Sequence, residues 1–174
     1  MLLYRVDKRD FAVEEIISHD NGLYQDGFIE DKRQLEEWLD RVRPTSIPSR
    51  SNILFLFINL SDALSFWARY GGNVYQVRVQ GAIYHRADMN KLDNLLDIIR
   101  FSEDQDLYQA AANEYWKAGT HTFGPSYEIL CESAEVMGIL LNETDCYSFQ
   151  LELAQYNYIE RTPTYINLLK SFTM

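Results

Sequence analysis

The sequence predicts an α+β domain in which helices surround a small mixed or split β-sheet. A continuous apolar run at residues 53–58 is short enough for a strand that is buried on both faces. It is followed by a stretch with helical periodicity and then by residues 74–79, where side chains alternate between two faces. Further along the chain the elements lack the regular βαβ rhythm of a doubly wound fold, which favours the α+β class.

Residues 50–79 form the centre of this prediction as strand, helix and strand. Ser61 is expected to cap the helix, because its hydroxyl can accept a hydrogen bond from an unpaired amide of the first turn. Trp67 lies on the apolar stripe of the helix, which favours a place in the core. Gly71 and Gly72 are expected to end the helix, since glycine enters the left-handed conformation without a Cβ clash.

The remaining elements follow from periodicity, capping residues and turn residues. Prolines at positions 44 and 48 predict a connecting loop rather than a domain boundary. The other predicted elements are a strand at 2–6, helices at 10–17, 30–42, 88–100 and 107–116, strands at 127–131 and 135–141 joined by a tight turn at 132–134, and a terminal helix at 164–172.

Composition narrows the class of protein. The chain has 174 residues and a formal net charge of −10, from 16 Lys and Arg against 26 Asp and Glu. This length predicts a single domain over residues 1–174, and no apolar run reaches the roughly 20 residues of a membrane span. The acidic charge disfavours nucleic-acid binding, which depends on Lys and Arg. Two cysteines make no disulfide framework and no zinc-site spacing occurs, so we expect a cytoplasmic protein without a metal.

Charged groups lie at the edges of several predicted strands. Arg5 lies in the first strand, Arg50 and Ser51 directly precede the apolar strand, and Glu128 opens a late strand. If they converge on one cleft, the arginines suit the diphosphate or ribose of NAD, and the carboxylate suits the ribose carbon that becomes positive as nicotinamide leaves. The alternative is that these side chains lie at strand ends simply because such ends contact water. The chain has no P-loop, G-x-G-x-x-G or G-x-S-x-G motif.

The chain resembles the ADP-ribosyltransferase-like fold, particularly its small bacterial and phage members. Residues 3–6, Leu-Tyr-Arg-Val, are similar to the family's first strand, which carries an NAD-binding arginine. Residues 48–57, the helix that follows and residues 74–79 are similar to its second strand, packed helix and next strand. Residues 127–130, Tyr-Glu-Ile-Leu, are similar to the strand that bears the catalytic glutamate.

The resemblance implies an enzyme that uses NAD as a substrate and transfers ADP-ribose to an unidentified acceptor, which could be a protein. Arg5 and Arg50 would hold the pyrophosphate and ribose, and Ser51 would orient the nicotinamide side. Trp67 or Tyr75 would pack near the nicotinamide, and Glu128 would stabilise the oxocarbenium-like transition state.

Two departures from the family pattern bear on the acceptor. Ser49-Arg50-Ser51 stands only partly in for the Ser-Thr-Ser motif of the arginine-modifying toxins, and Ser126 occupies the position where they carry Glu or Gln. Modification of protein arginine is therefore not expected. A second class of function stays open: a catalytically inactive interaction protein on the same scaffold, such as a phage or mobile-element protein that binds a host target. The acidic charge and the 12 tyrosines fit that hypothesis.

Overall fold

A single sheet organises the fold. The computed structural model describes residues 2–19, 29–117, 119, 122–145 and 148. Within these residues the chain forms a five-stranded sheet against which helices pack. The predicted α+β class is confirmed. Among the described residues every strand pairing is antiparallel, so of the predicted mixed or split sheet the mixed alternative is wrong.

The elements have the following bounds. In chain order they are β1 (Leu3–Asp7), β2 (Ile16–Ser18), α1 (Glu30–Arg41), a 3-10 turn (Arg50–Asn52), β3 (Leu54–Phe57), α2 (Leu60–Tyr70), β4 (Asn73–Asp88), α3 (Asn90–Phe101), α4 (Gln105–Trp116) and β5 (Tyr127–Leu141).

The strand pairings close on themselves. β1 pairs with β3 and β4, and β5 also pairs with β3 and β4, so the circuit β1–β4–β5–β3 returns to β1. One edge of β5 pairs with β4, and the opposite edge pairs first with β3 and then with β2, where Ile17 lies opposite Ala134. A sheet closed in this way has an interior face that side chains must fill. The interior is packed mainly by Leu3, Ile17, Leu54, Leu56, Tyr75, Val77, Ile129, Cys131, Ala134 and Val136.

Successive residues of each strand face opposite sides of the sheet. In β5, Ile129 and Cys131 pack in the interior, while Leu130 packs on the outer face with α1, α3 and α4. In β1, Leu3 faces the interior, while Val6 packs against α2. This alternation decides which charged side chains of the strands can meet.

β5 is one strand, so the predicted turn at residues 132–134 is wrong. Ser133 lies opposite Ser18 on one side and Gln80 on the other, and Ala134 likewise pairs on both sides. Because both edges of β5 are paired there, the backbone stays extended even though its residues favour strands only weakly.

The predicted helix at residues 10–17 is also wrong. Glu14 has a positive φ of 72°, which a continuous helix excludes. The following residues form β2 instead, because Ile17 gains burial in the interior. The segment at residues 10–17 is too short for its own pattern to distinguish a helix from a strand. Pairing with the distant strand β5 decides in favour of the strand.

Apart from β4, the other predicted elements that fall on the described residues are present with small shifts at their ends. α2 begins at Leu60, so Ser61 lies inside the helix and does not cap it. α2 ends at Tyr70, and Gly71 follows it as the C-cap with a φ of 73°, as predicted. β4 continues through Gly81 to Asp88 with bulges, and Asp104 caps α4 by accepting hydrogen bonds from two backbone amides. The predicted helix at 164–172 lies outside the described residues.

Candidate functional site

Four polar side chains from distant parts of the chain meet on the outer face of the sheet. Arg50, Glu36, Tyr115 and Glu128 form a connected network that we call the Arg50 cluster. Arg50 and Glu128 are each about 5% exposed. Buried charges are costly unless they are paired and hydrogen-bonded, so the cluster is a specific feature and not an incidental surface contact.

Each member is placed by a different element. Arg50 begins the 3-10 turn that leads into β3, and Glu128 lies next to the start of β5, opposite Phe57. Glu36 lies on α1 and Tyr115 lies in the last turn of α4. The outward side chains of β5 include Glu128 and Leu130, so strand alternation directs this carboxylate toward the helices.

Arg50 is the centre of the cluster. Its Nε donates to Glu36 Oε2 at 2.9 Å, and its Nη1 lies 3.5 Å from Glu128 Oε1. Nη1 also donates to the Tyr115 hydroxyl. The guanidinium carbon lies 4.5 Å from the ring centroid of Phe55 and 5.0 Å from that of Tyr115. Ring faces attract a desolvated cation, so the aromatic contacts help to hold this arginine in its buried position on the outer face of the sheet.

The two oxygens of Glu128 differ. Oε1 accepts a 2.6 Å hydrogen bond from the Tyr115 hydroxyl and is also the oxygen nearest Arg50. Oε2 has no hydrogen-bond partner among the residues that the structure describes. Oε2 is not among the fully buried unpaired atoms of that part of the chain, so it keeps a small exposed area within a side chain that is only 7% exposed. The carboxylate is therefore held by one oxygen and presents the other.

Burial also fixes the protonation of the groups around Glu128. Burial raises the pKa of Tyr115 well above its usual value of 10.0, and the neighbouring Glu128 charge adds to this rise. Tyr115 therefore keeps its proton and can donate it in a hydrogen bond. Burial lowers the pKa of His85 below 6.5, so its imidazole is neutral at pH 7. Because the carbonyl of Tyr115 can only accept, the Nε2 of His85 is the protonated nitrogen of that 3.2 Å contact.

A groove of about 570 Å³ lies beside the cluster, between one face of α1 and residues 49–51. Its volume is within the range of sites that bind small molecules. Arg50 lines the groove, but Glu128 and Tyr115 do not, so Arg50 is the side chain that connects the groove to the carboxylate. Ser51 also lines it, with its Oγ 3.1 Å from that of Ser49. The charged lining residues are Arg33, Arg41, Arg50, Glu36, Glu37 and Asp40.

The structure brings Arg50, Ser51 and Glu128 to one region and places Arg5 and Tyr75 elsewhere. Arg5 lies opposite Tyr75 in the β1–β4 pairing, and Tyr75 packs in the interior of the sheet. Arg5 shares the face of Leu3 by strand alternation, which is the face opposite Glu128. The fold therefore brings Arg50 to Glu128 but does not bring Arg5 to either of them.

Arg5 takes part in a second ion cluster. Its Nη2 lies 2.8 Å from Asp7 Oδ2, as does that of Arg9, and its Nη1 donates to the Phe55 carbonyl at 3.0 Å. Burial alone would raise the pKa of Asp7, but the hydrogen bonds and charges of Arg9 and Arg5 outweigh it and lower the value to about 2. The hydroxyl of Tyr75 donates to the Arg9 carbonyl and accepts from a nearby backbone amide.

Sequence reasoning missed Glu36 and Tyr115. Glu36 lies among the many charged residues of α1, and such a run of charges usually marks a solvated helix face. Tyr115 carried a usable signal: it shares a helix face with Tyr108, Ala111 and Ala112, all of which are buried. A tyrosine on an apolar helix face needs a buried partner for its hydroxyl, and a carboxylate is a suitable one.

Comparisons with known proteins give no family for the chain. A scan against protein-family models finds no match, and a search of curated proteins finds none either. Among the described residues, no group of His, Cys, Asp and Glu side chains is arranged to hold a metal ion. Across the same residues, no helix combines the length and the apolar character needed to cross a membrane.

Proposed function

We propose that the chain transfers ADP-ribose from NAD to an acceptor, with Glu128 as the catalytic carboxylate and with Arg50 and Ser51 binding the dinucleotide. The observation that carries this proposal is the buried Glu128 carboxylate, whose Oε1 is held by Tyr115 while Oε2 has no partner in the described part of the chain. A fixed carboxylate with one available oxygen suits the stabilisation of positive charge on a ribose carbon. The resemblance of residues 3–6, 48–57 and 127–130 to ADP-ribosyltransferases supports the same chemistry.

The reaction needs little from the protein beyond position and charge. The bond between the ribose C1′ and the nicotinamide nitrogen breaks, and nicotinamide leaves with the bonding electron pair as a neutral molecule. Positive charge develops on the ribose, where Glu128 Oε2 would stabilise it. A nucleophile on the acceptor then forms a bond to C1′ and releases its proton, and water in this role gives free ADP-ribose.

The groove beside the cluster supports a diphosphate-bearing substrate. Arg50 carries a permanent charge and lines the groove, and Ser51 adds a hydroxyl next to it. In this proposal Arg5 and Tyr75 do not contact NAD. They support the site from the inner face of the sheet, where Arg5 donates to the carbonyl of Phe55, whose ring packs against Arg50.

A catalytically inactive interaction protein is the second candidate. One observation favours it: Arg50 is engaged by Glu36, Tyr115 and Glu128, and Glu128 does not line the groove. An arginine held in this way can act as a structural residue of the core. The groove would then be a mixed-charge surface for a protein partner, and NAD would neither bind nor react.

Glu128→Gln separates the two candidates. Gln keeps the size of the side chain but removes its charge, so nicotinamide release from NAD should fall about a hundredfold to a thousandfold. Binding of NAD, measured as the rise in Tm at increasing NAD concentration, should persist. Glu103→Gln makes the same change at an exposed loop position and should leave turnover unaltered. Equal turnover in Glu128→Gln and wild type would remove the assignment, and a wild-type chain that neither binds nor cleaves NAD would favour the interaction protein.

A further inference from the structure

We infer that Tyr115 is a positioning residue for Glu128, a role whose effect on turnover rests on the proposed function. Its hydroxyl donates to Glu128 Oε1 at 2.6 Å and accepts from Arg50. Since a hydroxyl can donate only one hydrogen, the donation from Arg50 directs the hydrogen of Tyr115 toward the carboxylate. Tyr115 thus selects which oxygen of Glu128 is held and which one is presented.

The 2.6 Å contact is the shorter of the two that Glu128 makes. The Arg50 Nη1 to Oε1 distance is 3.5 Å, at the outer limit for a hydrogen bond. A hydroxyl bound to a carboxylate is a short and strong interaction, about twice as strong as one between neutral groups. Tyr115 therefore holds the Glu128 carboxylate directly and at a shorter distance than Arg50 does.

The end of α4 is fixed by three polar contacts from other elements, and these contacts locate Tyr115. Lys91 Nζ donates to the Glu114 carbonyl at 2.7 Å, and His85 Nε2 donates to the Tyr115 carbonyl at 3.2 Å. Trp116 Nε1 donates to a carbonyl of α1 at 2.8 Å. A cation near a helix C-terminus stabilises its unpaired carbonyls, as Lys91 does here, and the three contacts together fix the backbone on which the tyrosine is mounted.

Ring packing restricts the side chain further. The Tyr115 ring meets the Trp116 ring edge to face at a centroid distance of 4.8 Å, and the His85 ring lies 6.0 Å away. Tyr115 is only 1% exposed. Neighbours on several sides leave the ring little freedom to rotate, so the hydroxyl is presented to Glu128 in one orientation.

The test compares Tyr115→Phe with Tyr108→Phe. Both residues lie on the buried face of α4, and each variant loses one buried hydroxyl, but Tyr108 donates to the Ser102 carbonyl and not to Glu128. For Tyr115→Phe we expect kcat for nicotinamide release to fall about tenfold to a hundredfold, as for loss of a hydrogen bond to a charged group, with KM for NAD within about twofold of wild type. Tyr108→Phe should keep the wild-type kcat. A wild-type kcat in Tyr115→Phe, or an equal loss in both variants, would overturn the inference.

A second readout keeps this inference separate from the proposed function. In chains labelled with carboxyl-13C glutamate, the Glu128 signal is identified by its loss in Glu128→Gln. It should move in Tyr115→Phe and stay in place in Tyr108→Phe. If wild type does not cleave NAD, the proposed function fails. The Glu128 signal then tests the positioning role of Tyr115 by itself, and a signal that does not move in Tyr115→Phe overturns that role. If Tyr115→Phe does not fold, the signal of the Tyr115 hydroxyl proton in wild type is measured instead of the Glu128 signal in the variant. A signal protected from exchange supports the contact, and its absence overturns it.

Discussion

Asp7 allows a direct test of whether Arg5 is held in an ion pair within the fold. Burial would raise the pKa of Asp7, but Arg9 and Arg5 together lower it from 3.8 to about 2. The charged carboxylate is thus favoured in the folded chain relative to the unfolded one. Stability from this group is fully present above the unfolded pKa of 3.8 and is lost as the pH falls through about 2. Since a pKa difference of one corresponds to about 1.4 kcal/mol, the free energy at stake is about 2.5 kcal/mol, most of which is lost by about pH 2.

The assay is urea unfolding of wild type and Asp7→Asn from about pH 7 down to about pH 2, with the free energy of unfolding obtained by linear extrapolation. Asparagine resembles the protonated carboxyl, so the variant lacks the pH-dependent part of the Asp7 contribution. All other carboxylates are common to both chains and cancel in the difference. We expect wild type to be more stable at neutral pH, and this advantage to shrink by about 2 kcal/mol over the acidic range.

Glu30→Gln is the matched control. Its partner Arg33 and Glu30 itself are 62% and 64% exposed, so this ion pair is screened by solvent. We expect its removal to change stability by less than about 0.5 kcal/mol, with little dependence on pH. If the difference between wild type and Asp7→Asn were the same at neutral pH and near pH 2, the pairing of Asp7 with Arg5 and Arg9 would be refuted. Arg5 would then again be a candidate for ligand binding.

Two further predictions concern the packing of α2 and the turn that follows it. Trp67→Ala should lower the free energy of unfolding by about 3–5 kcal/mol, because Trp67 is buried against β1, β3 and β4 and its Nε1 donates to the Gly72 carbonyl. A loss below about 1 kcal/mol in urea unfolding would contradict a core role for Trp67. Gly72→Ala should destabilise by more than about 1 kcal/mol, because φ is +93° and an added Cβ would lie 2.7 Å from the Asp7 carbonyl oxygen. Gly138→Ala, whose Cβ would meet nothing within 4 Å, should be near neutral, and equal Tm losses in both variants would count against the strain.

Local sequence patterns predicted the elements whose start, periodicity or end is marked by residues of the segment itself. α1 and α3 show helical periodicity, and Gly71 ends α2 for a reason visible in the sequence. The errors occur where distant pairing overrides local preference. β2 forms because Ile17 finds Ala134, and β5 continues through residues 132–134 because both of its edges are paired. Neither partner can be identified from the segment itself.

The candidate site was predicted in part for the same reason. Arg50 and Glu128 were selected because both flank predicted strands, and they do meet. Arg5 also lies in a strand, but its side chain faces the interior, where it pairs with Asp7. Strand alternation gives the relative direction of side chains within one strand. It does not give the face on which a second strand places its own residues, which depends on pairing register.

The Arg50 cluster also constrains how the protein folds. Its contacts join residues separated by 14, 65 and 78 positions along the chain. Contacts of such long range form only after large loops have closed, which slows folding and concentrates their formation late in the process. A chain under synthesis cannot complete the cluster before residue 128 has been added. Partly folded chains would therefore lack the Arg50 cluster. Once the cluster has formed, strands and helices from both halves of the polypeptide have already come together.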